Sequence, residues 1–270
     1  MPIDTFSFKR FPAILIPVLL FFLPFSGKSQ INDKSAIDSA VNMIWTGANF
    51  AYHFPGGQIA EIFKGNFNVG TGFTYKTASN WTWSANFNYL FGSKMKRNDI
   101  EFMKSLFGDV FNSHNQIIDG NGQSATVYFE GRYWNIGAGI GKIIPVNRWK
   151  NSGIWINTNF GFFQHKIFIN IFQNDIPQLS DEYKKGYDRR SSGFFMSQFI
   201  GYMFMQKVRV ASFYGGIEIY EIWTKPDRNY IFTEGPTEGM KNKFSLLVGL
   251  KIGWVVPLHE KKKTTNFYTF

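Results

Sequence analysis

From Trp81 to Phe91 the residues Trp81, Trp83, Ala85, Phe87, Tyr89 and Phe91 alternate with Thr82, Ser84, Asn86 and Asn88. A period of two puts such sets on opposite faces of a β-strand, whereas a helix of 3.6 residues per turn would smear both around its circumference. The same alternation runs from Gly65 to Lys76, with Phe67, Val69, Thr71, Phe73 and Tyr75 against Asn66, Asn68, Gly70, Gly72 and Thr74. A third row, Phe244, Leu246, Val248, Leu250, Ile252, Trp254 and Val256, is opposed by Ser245, Leu247, Gly249, Lys251, Gly253 and Val255. Interleaving explains how a chain with 31 Phe and a 19% aromatic share keeps a mean hydropathy of only -0.18. That much apolar side chain excludes a disordered tail. The absence of cysteine excludes disulfide-stapled miniproteins and Cys-ligated zinc or iron-sulfur sites.

Further strands are expected at roughly 43–54, 125–141, 153–168, 193–206 and 208–223, with less clean alternation. In 193–206 both faces are apolar, so its facing requires a bulge. Ahead of them, Lys9-Arg10 and the apolar run Phe11–Phe25 close on Ser26-Gly27-Lys28-Ser29-Gln30. This is the layout of a secretory signal peptide, with Gly27 and Ser29 at the positions before cleavage at Gln30. The run is too short for a spanning helix of roughly 20 residues, and Pro12, Pro17 and Pro24 interrupt it. The 270-residue chain carries a formal charge of +10; losing residues 1–29 removes three cations and one anion and leaves +8.

The expected organisation is thus a signal peptide at 1–29, a periplasmic lead-in at 30–42, a barrel over 43–257 and a basic tail at 258–270. Eight strands, many reaching the roughly 9 to 11 residues that cross a bilayer at the usual tilt, suit a closed barrel. Short turns at Thr77–Asn80 and Gln206–Lys207 alternate with long connections at Gly92–Ser124, Ile169–Ser192 and Thr224–Met240. With both termini in the periplasm the long loops fall outside, as in transmembrane barrels. The alternative is a secreted β-sandwich. Against it, the polar rows are Asn, Gly, Ser and Thr, which suit a narrow lumen better than a solvated face. Trp45, Tyr75, Trp81, Trp83, Trp155 and Trp254 also fall near one end of their strands, as an aromatic membrane belt would. The fold class expected is therefore all-β, a transmembrane eight-stranded antiparallel up-and-down barrel with long extracellular loops.

Phe163-Gln164-His165-Lys166, Pro177 through Arg189 and Phe199-Ile200-Gly201-Tyr202 resemble segments of uncharacterised outer-membrane barrels of Bacteroidota. The mature chain from about Trp45 to Pro257 is similar in pattern to small OmpA/OmpX-type eight-stranded barrels. The resemblance implies an outer-membrane location in a Gram-negative cell and, for some such barrels, membership of a larger envelope assembly or secretion machine. It carries no catalytic residue to this chain. The family's insertion signal is an aromatic end, which Phe270 matches, although the last strand stops near Pro257.

An eight-stranded barrel is just wide enough for its inward side chains to fill it. The inward candidates are Asn66, Asn68, Asn86, Asn88, Asn157, Asn159, Glu218 and Lys251, with the last two on neighbouring strands in unknown register. These are expected to form a hydrogen-bonded plug with paired charges. No cofactor or metal is expected, since His53, His114, His165 and His259 lack ligand spacing. His165 near an outer strand end is the position a lipid-A-modifying barrel enzyme would use, but no Ser and carboxylate converge on it in sequence. Gly137-Ala138-Gly139-Ile140-Gly141 follows a strand and opens no helix, so it is read as room for curvature and not as a phosphate loop. Lys94, Lys96, Arg97, Lys184, Lys185, Arg189 and Arg190 are expected beside lipopolysaccharide phosphates, with Lys261–Lys263 in the periplasm. Nucleic acid is not an expected partner; another envelope protein is. The expected role is a non-enzymatic structural or accessory subunit, with a porin-like small-solute channel as the alternative.

Overall fold

The computed structural model describes residue 40 and residues 42–92, 95–112, 116–146, 150–171, 175–205 and 212–258. The expected signal peptide, nearly all of the lead-in, and the tail beyond Leu258 lie outside the described residues, as do His114, His259 and Lys94.

Eight long strands form one closed antiparallel barrel in up-and-down order. They are β1 (Met43–Gly57), β2 (Asn66–Lys76), β3 (Trp81–Gly92), β4 (Val127–Pro145), β5 (Gly153–Ile171), β6 (Ser191–Phe204), β7 (Ser212–Pro226) and β8 (Lys243–Leu258). β8 closes on β1 from Ile44 opposite Leu258 to Gly57 opposite Ser245, so the barrel itself has no unpaired edge. Register partners lead from Gly47 through Gly72, Asn86, Gly137, Gly161, Phe195, Ile222 and Ser245 back to β1 at Gly57. The return point lies ten residues beyond the start, and that stagger in an eight-stranded barrel goes with strands tilted roughly 40°.

Alternation sets the two surfaces. On β2 the buried residues are Asn66, Asn68, Gly70, Thr74 and Lys76, while Phe67, Val69, Phe73 and Tyr75 are exposed. β3 and β8 follow the same rule, with Trp83 54% and Leu250 55% exposed on the outside. The outward rings meet from strand to strand: Phe160 stacks on Phe194 and Phe194 on Trp223, at 6.3 and 6.0 Å, and Trp223 packs at a tilt against Phe244 at 5.6 Å. Cross-strand aromatic contacts of this kind stabilise a sheet from its outer face.

β6 needs no bulge. Its register with both β5 and β7 is unbroken from Ser191 to Met203, with Phe195, Ser197, Phe199 and Met203 inside and Phe194, Ile200, Tyr202 and Phe204 outside. Both of its faces read as apolar because the inward one packs in the lumen and the outward one on the wall. The β6 and β7 strands run over 191–204 and 212–226, and the tight turn expected at 206–207 lies outside the described residues.

At the end opposite the start of β1 the described connections carry three short α-helices: α1 (Gln58–Ile62), α2 (Ile100–Phe107) and α3 (Asp181–Tyr187). α2 starts at Asp99, whose carboxylate accepts from the Phe102 N–H at 2.8 Å, an N-cap that satisfies an otherwise orphaned donor. Met103, Leu106 and Phe107 form its buried stripe, at the i, i+3, i+4 spacing of an amphipathic helix.

Candidate functional site: a polar lumen between two apolar clusters

Three layers occupy the barrel axis. At the end where β1 begins and β8 finishes, Trp45, Ile143, Trp155, Phe199, Met203, Met205 and Val255 form an apolar cluster. Trp155 meets Trp45 edge-on at 6.3 Å, Phe199 at 5.4 Å and Tyr214 at 5.0 Å, and its indole N–H donates to Thr82 Oγ1 at 3.2 Å. This corrects the expected membrane belt. Trp45 and Trp155 are 3% and 6% exposed and point inward, whereas Tyr75, Trp81, Trp83 and Trp254 lie on the outer wall. The reason is parity: Trp155 shares a strand face with Asn157 and Asn159, two and four residues on, and all three must point the same way.

The middle layer is polar. Asn159 is its hub, accepting at Oδ1 from Asn86 and Asn157 at 3.0 Å and from Ser84 at 3.3 Å, and donating to Ser197 at 3.2 Å. Asn88 donates to Asn135 at 3.0 Å and to Asn86 at 3.3 Å, and Asn68 donates to Asn49 at 3.0 Å. Asn66 is buried on the same face, and neither of its amide atoms has a protein partner among the described residues. Glycines make room for the amides: a Cβ on Gly139 would collide with Asn159 and with Ser84 Oγ, so this position of the 137–141 run is set by lumen packing.

Beside the amides lies a buried charge cluster. Lys251 Nζ donates to Glu218 Oε1 at 2.7 Å, and His53 Nε2 faces Glu218 Oε2 at 3.4 Å. His53 on β1, Gly249 on β8 and Glu218 on β7 share one register row, so the glycine between them leaves the gap through which imidazole and carboxylate meet. A Cβ on Gly249 would lie 2.6 Å from the His53 ring. His53 and Glu218 have no exposed side-chain surface, and Tyr220 packs edge-on against His53 at 5.5 Å. Sequence reading placed Ser84 on the polar row but missed Asn49, Asn135, Ser197 and the role of His53. Their parity within β1, β4 and β6 was available, but pairing between strands far apart in the chain was not.

The third layer is the mouth beneath the helices. Leu90, Tyr133, Phe163, Phe195, Tyr220, Ile222 and Leu247 from the strands pack with Ile59, Phe63, Met103, Leu106 and Phe107 from the connections. Phe107 stacks on Phe129 at 4.0 Å. Ion pairs tie the cap together: Asp188 holds Arg228 at 2.5 Å, Asp227 holds Arg190 at 3.1 Å, and Arg189 reaches Glu234 at 2.6 Å and the Ser105 carbonyl at 2.6 Å. The hydrogen bond from Arg228 to Asp188 raises the guanidinium pKa, while burial lowers that of Arg189 against the pull of Glu234. Arg189 and Arg190 therefore act as cap fasteners and not as free surface cations. Lys184 and Lys185 lie 3.4 Å from Asp181 and Glu182.

His165 faces Thr224 Oγ1 at 3.1 Å and packs near Tyr133 and Phe163. Among the described residues no serine or carboxylate hydrogen-bonds to it, and no group of three or more potential metal ligands converges anywhere.

No family model and no curated protein matches the chain. Among solved structures it is similar to Ail, the attachment invasion locus protein of Yersinia pestis, in a complex with the heparin analogue sucrose octasulfate. The identity there is 9%, with 79% of this chain and 97% of that chain covered and a TM-score of 0.39. It is also similar to Neisserial surface protein A, at 9% identity, 78% and 96% coverage and a TM-score of 0.40. The N-terminal barrel domain of Pseudomonas aeruginosa OprF aligns at 11% identity, 78% and 96% coverage and a TM-score of 0.34. The architecture of this chain rests on its own strand pairing.

Proposed function

We propose that the protein is an outer-membrane β-barrel with a closed lumen that works through its surfaces, as a structural or accessory component of an envelope assembly, and not as an enzyme. The observation that carries this reading is the layered interior: apolar clusters close both ends around a polar middle whose amides and charges bind one another. A barrel filled in this way has its wall and its capped mouth left to present to partners. The wall is mainly apolar, with Thr71, Thr158, Gln198 and Glu221 among its polar positions, which suits hydrocarbon, and strand-to-strand pairing around the closed barrel satisfies the backbone within it.

The membrane reading has a direct test. Leu250→Arg, in the middle of the outer face of β8, is expected to cost about 2–4 kcal/mol in bilayer-reconstituted unfolding, and Leu258→Arg at the strand end about 0–1 kcal/mol. Losses within about 0.5 kcal/mol at both positions would indicate a water-facing wall.

The role is tested by crosslinked pulldown from outer membranes, where co-purification with a larger envelope complex is expected and recovery of the protein alone would count against it. In planar bilayers the closed lumen predicts a silent protein. Stepwise conductance would favour the channel, and lipid-A modification lost on His165→Ala would favour the enzyme.

A further inference from the structure

The outer wall changes character at one level of β4 and β5. On β4 the outward residues run Ile140, Ala138, Ile136, Trp134 and then Arg132; on β5 they run Ile156, Thr158, Phe160, Phe162 and then Gln164 and Lys166. Arg132 and Lys166 are register partners, two cations placed directly opposite across adjacent strands. Like charges in that arrangement destabilise a sheet unless an anion lies between them. Both converge on the Phe168 ring, at 5.3 and 5.9 Å from its centre. Glu130 pairs with Arg132, but Lys166 has no carboxylate or hydrogen-bond acceptor among the described residues.

Beside the two cations lies a cavity of about 480 Å³ that also touches Tyr89, Trp134, Gln164 and Phe168. Trp134 donates its indole N–H to Gln164 at 2.9 Å, and Gln164 in turn donates to Asp227 at 3.2 Å, so the cavity wall is braced and that carboxylate already engaged. The level of the site follows from β4. Lys142, over the Trp81 ring at 4.9 Å, marks the opposite edge of the apolar band. It lies ten residues from Arg132 along β4, which is roughly 33 Å of strand and, at a tilt of roughly 40°, about the 25 Å height of the apolar band in such barrels.

We infer that Arg132 and Lys166 hold the phosphate monoester of an outer-leaflet lipid headgroup, whose acyl chains descend along Trp134 and Tyr89. This rests on the membrane reading above. Arg132 supplies a planar fork of donors and Lys166 a point charge, the two modes by which proteins bind phosphate. The phosphate also gives Lys166 its partner and separates the two cations.

The test uses the full processed chain in detergent, with native mass spectrometry of bound bisphosphorylated lipid A, the same lipid with its phosphates removed, and inorganic phosphate as competitor. Retention of bisphosphorylated lipid A is expected to fall about tenfold or more in Arg132→Gln/Lys166→Gln, the size expected when charge-assisted hydrogen bonds are lost. Lys166→Gln alone should show the same direction if the double variant misfolds, and Lys184→Gln/Lys185→Gln on α3 should retain the lipid as the parent does. Equal retention by parent and Lys166→Gln, no preference for the phosphorylated lipid, or displacement by inorganic phosphate at equal concentration would each overturn the site. A chain that stays dissolved without detergent would defeat the membrane reading first. A detergent-dependent barrel without phosphate preference would defeat the lipid site alone.

Discussion

Glu218→Ala is expected to destabilise the barrel by about 3–5 kcal/mol, because it removes one member of a buried ion pair and leaves the other charge uncompensated. The carboxylate accepts from Lys251 at 2.7 Å and faces His53 at 3.4 Å, with no exposed surface of its own. Removing it strands a lysine only 11% exposed at its side chain, beside Tyr214 and Tyr220. The effect should appear as a lowered denaturant midpoint in reconstituted protein, read by loss of the compact, heat-modifiable form on gels. The informative companion is Glu218→Leu/Lys251→Met, which removes both charges and is expected to recover most of the loss, since buried pairs are often replaceable by apolar residues of similar volume. If Glu218→Ala were neutral, the carboxylate would have to be water-exposed, and the sealed lumen would be wrong.

The second large effect belongs to Trp155→Ala, expected to cost about 3–5 kcal/mol as a core aromatic truncation. Its ring is the centre of the layer near the termini, in contact with Trp45, Phe199 and Tyr214, and its loss also takes the hydrogen-bond partner of buried Thr82. Trp254→Ala, on the outer wall at the same end, should cost less, because the remaining wall and lipid can close over the site. Equal losses at the two positions would mean that Trp155 faces outward after all. A denaturant series on the two single variants decides between these outcomes, provided both insert into bilayers to the same extent.

How much of this was legible in the chain depends on the range of the physics involved. The alternation in β2, β3 and β8 is a property of the pleat, in which successive side chains must leave on opposite faces, so which residues line the lumen there can be read without any partner strand. Glu218, Lys251 and the six asparagines expected inside all lie on the inward face. Where alternation fails as a signal, as in β6, both faces are apolar for different reasons, one packing in the lumen and one on the wall, and hydrophobicity cannot tell them apart. The misplacement of Trp45 and Trp155 has another origin. Residue type suggested an interfacial tryptophan, but strand parity with Ala51 and His53 in β1, and with Asn157 in β5, puts both inside.

The sequence by itself determined eight strands, their order and the two faces of β2, β3 and β8, because that pattern depends on neighbours one or two residues away. The tertiary structure alone decided the ten-residue stagger, the seam between β1 and β8, and therefore which distant groups meet. His53, Glu218 and Lys251 come together only because closure aligns three strands and a glycine separates two of the side chains. Register between strands so far apart is chosen by packing around the whole ring, and no local pattern encodes it.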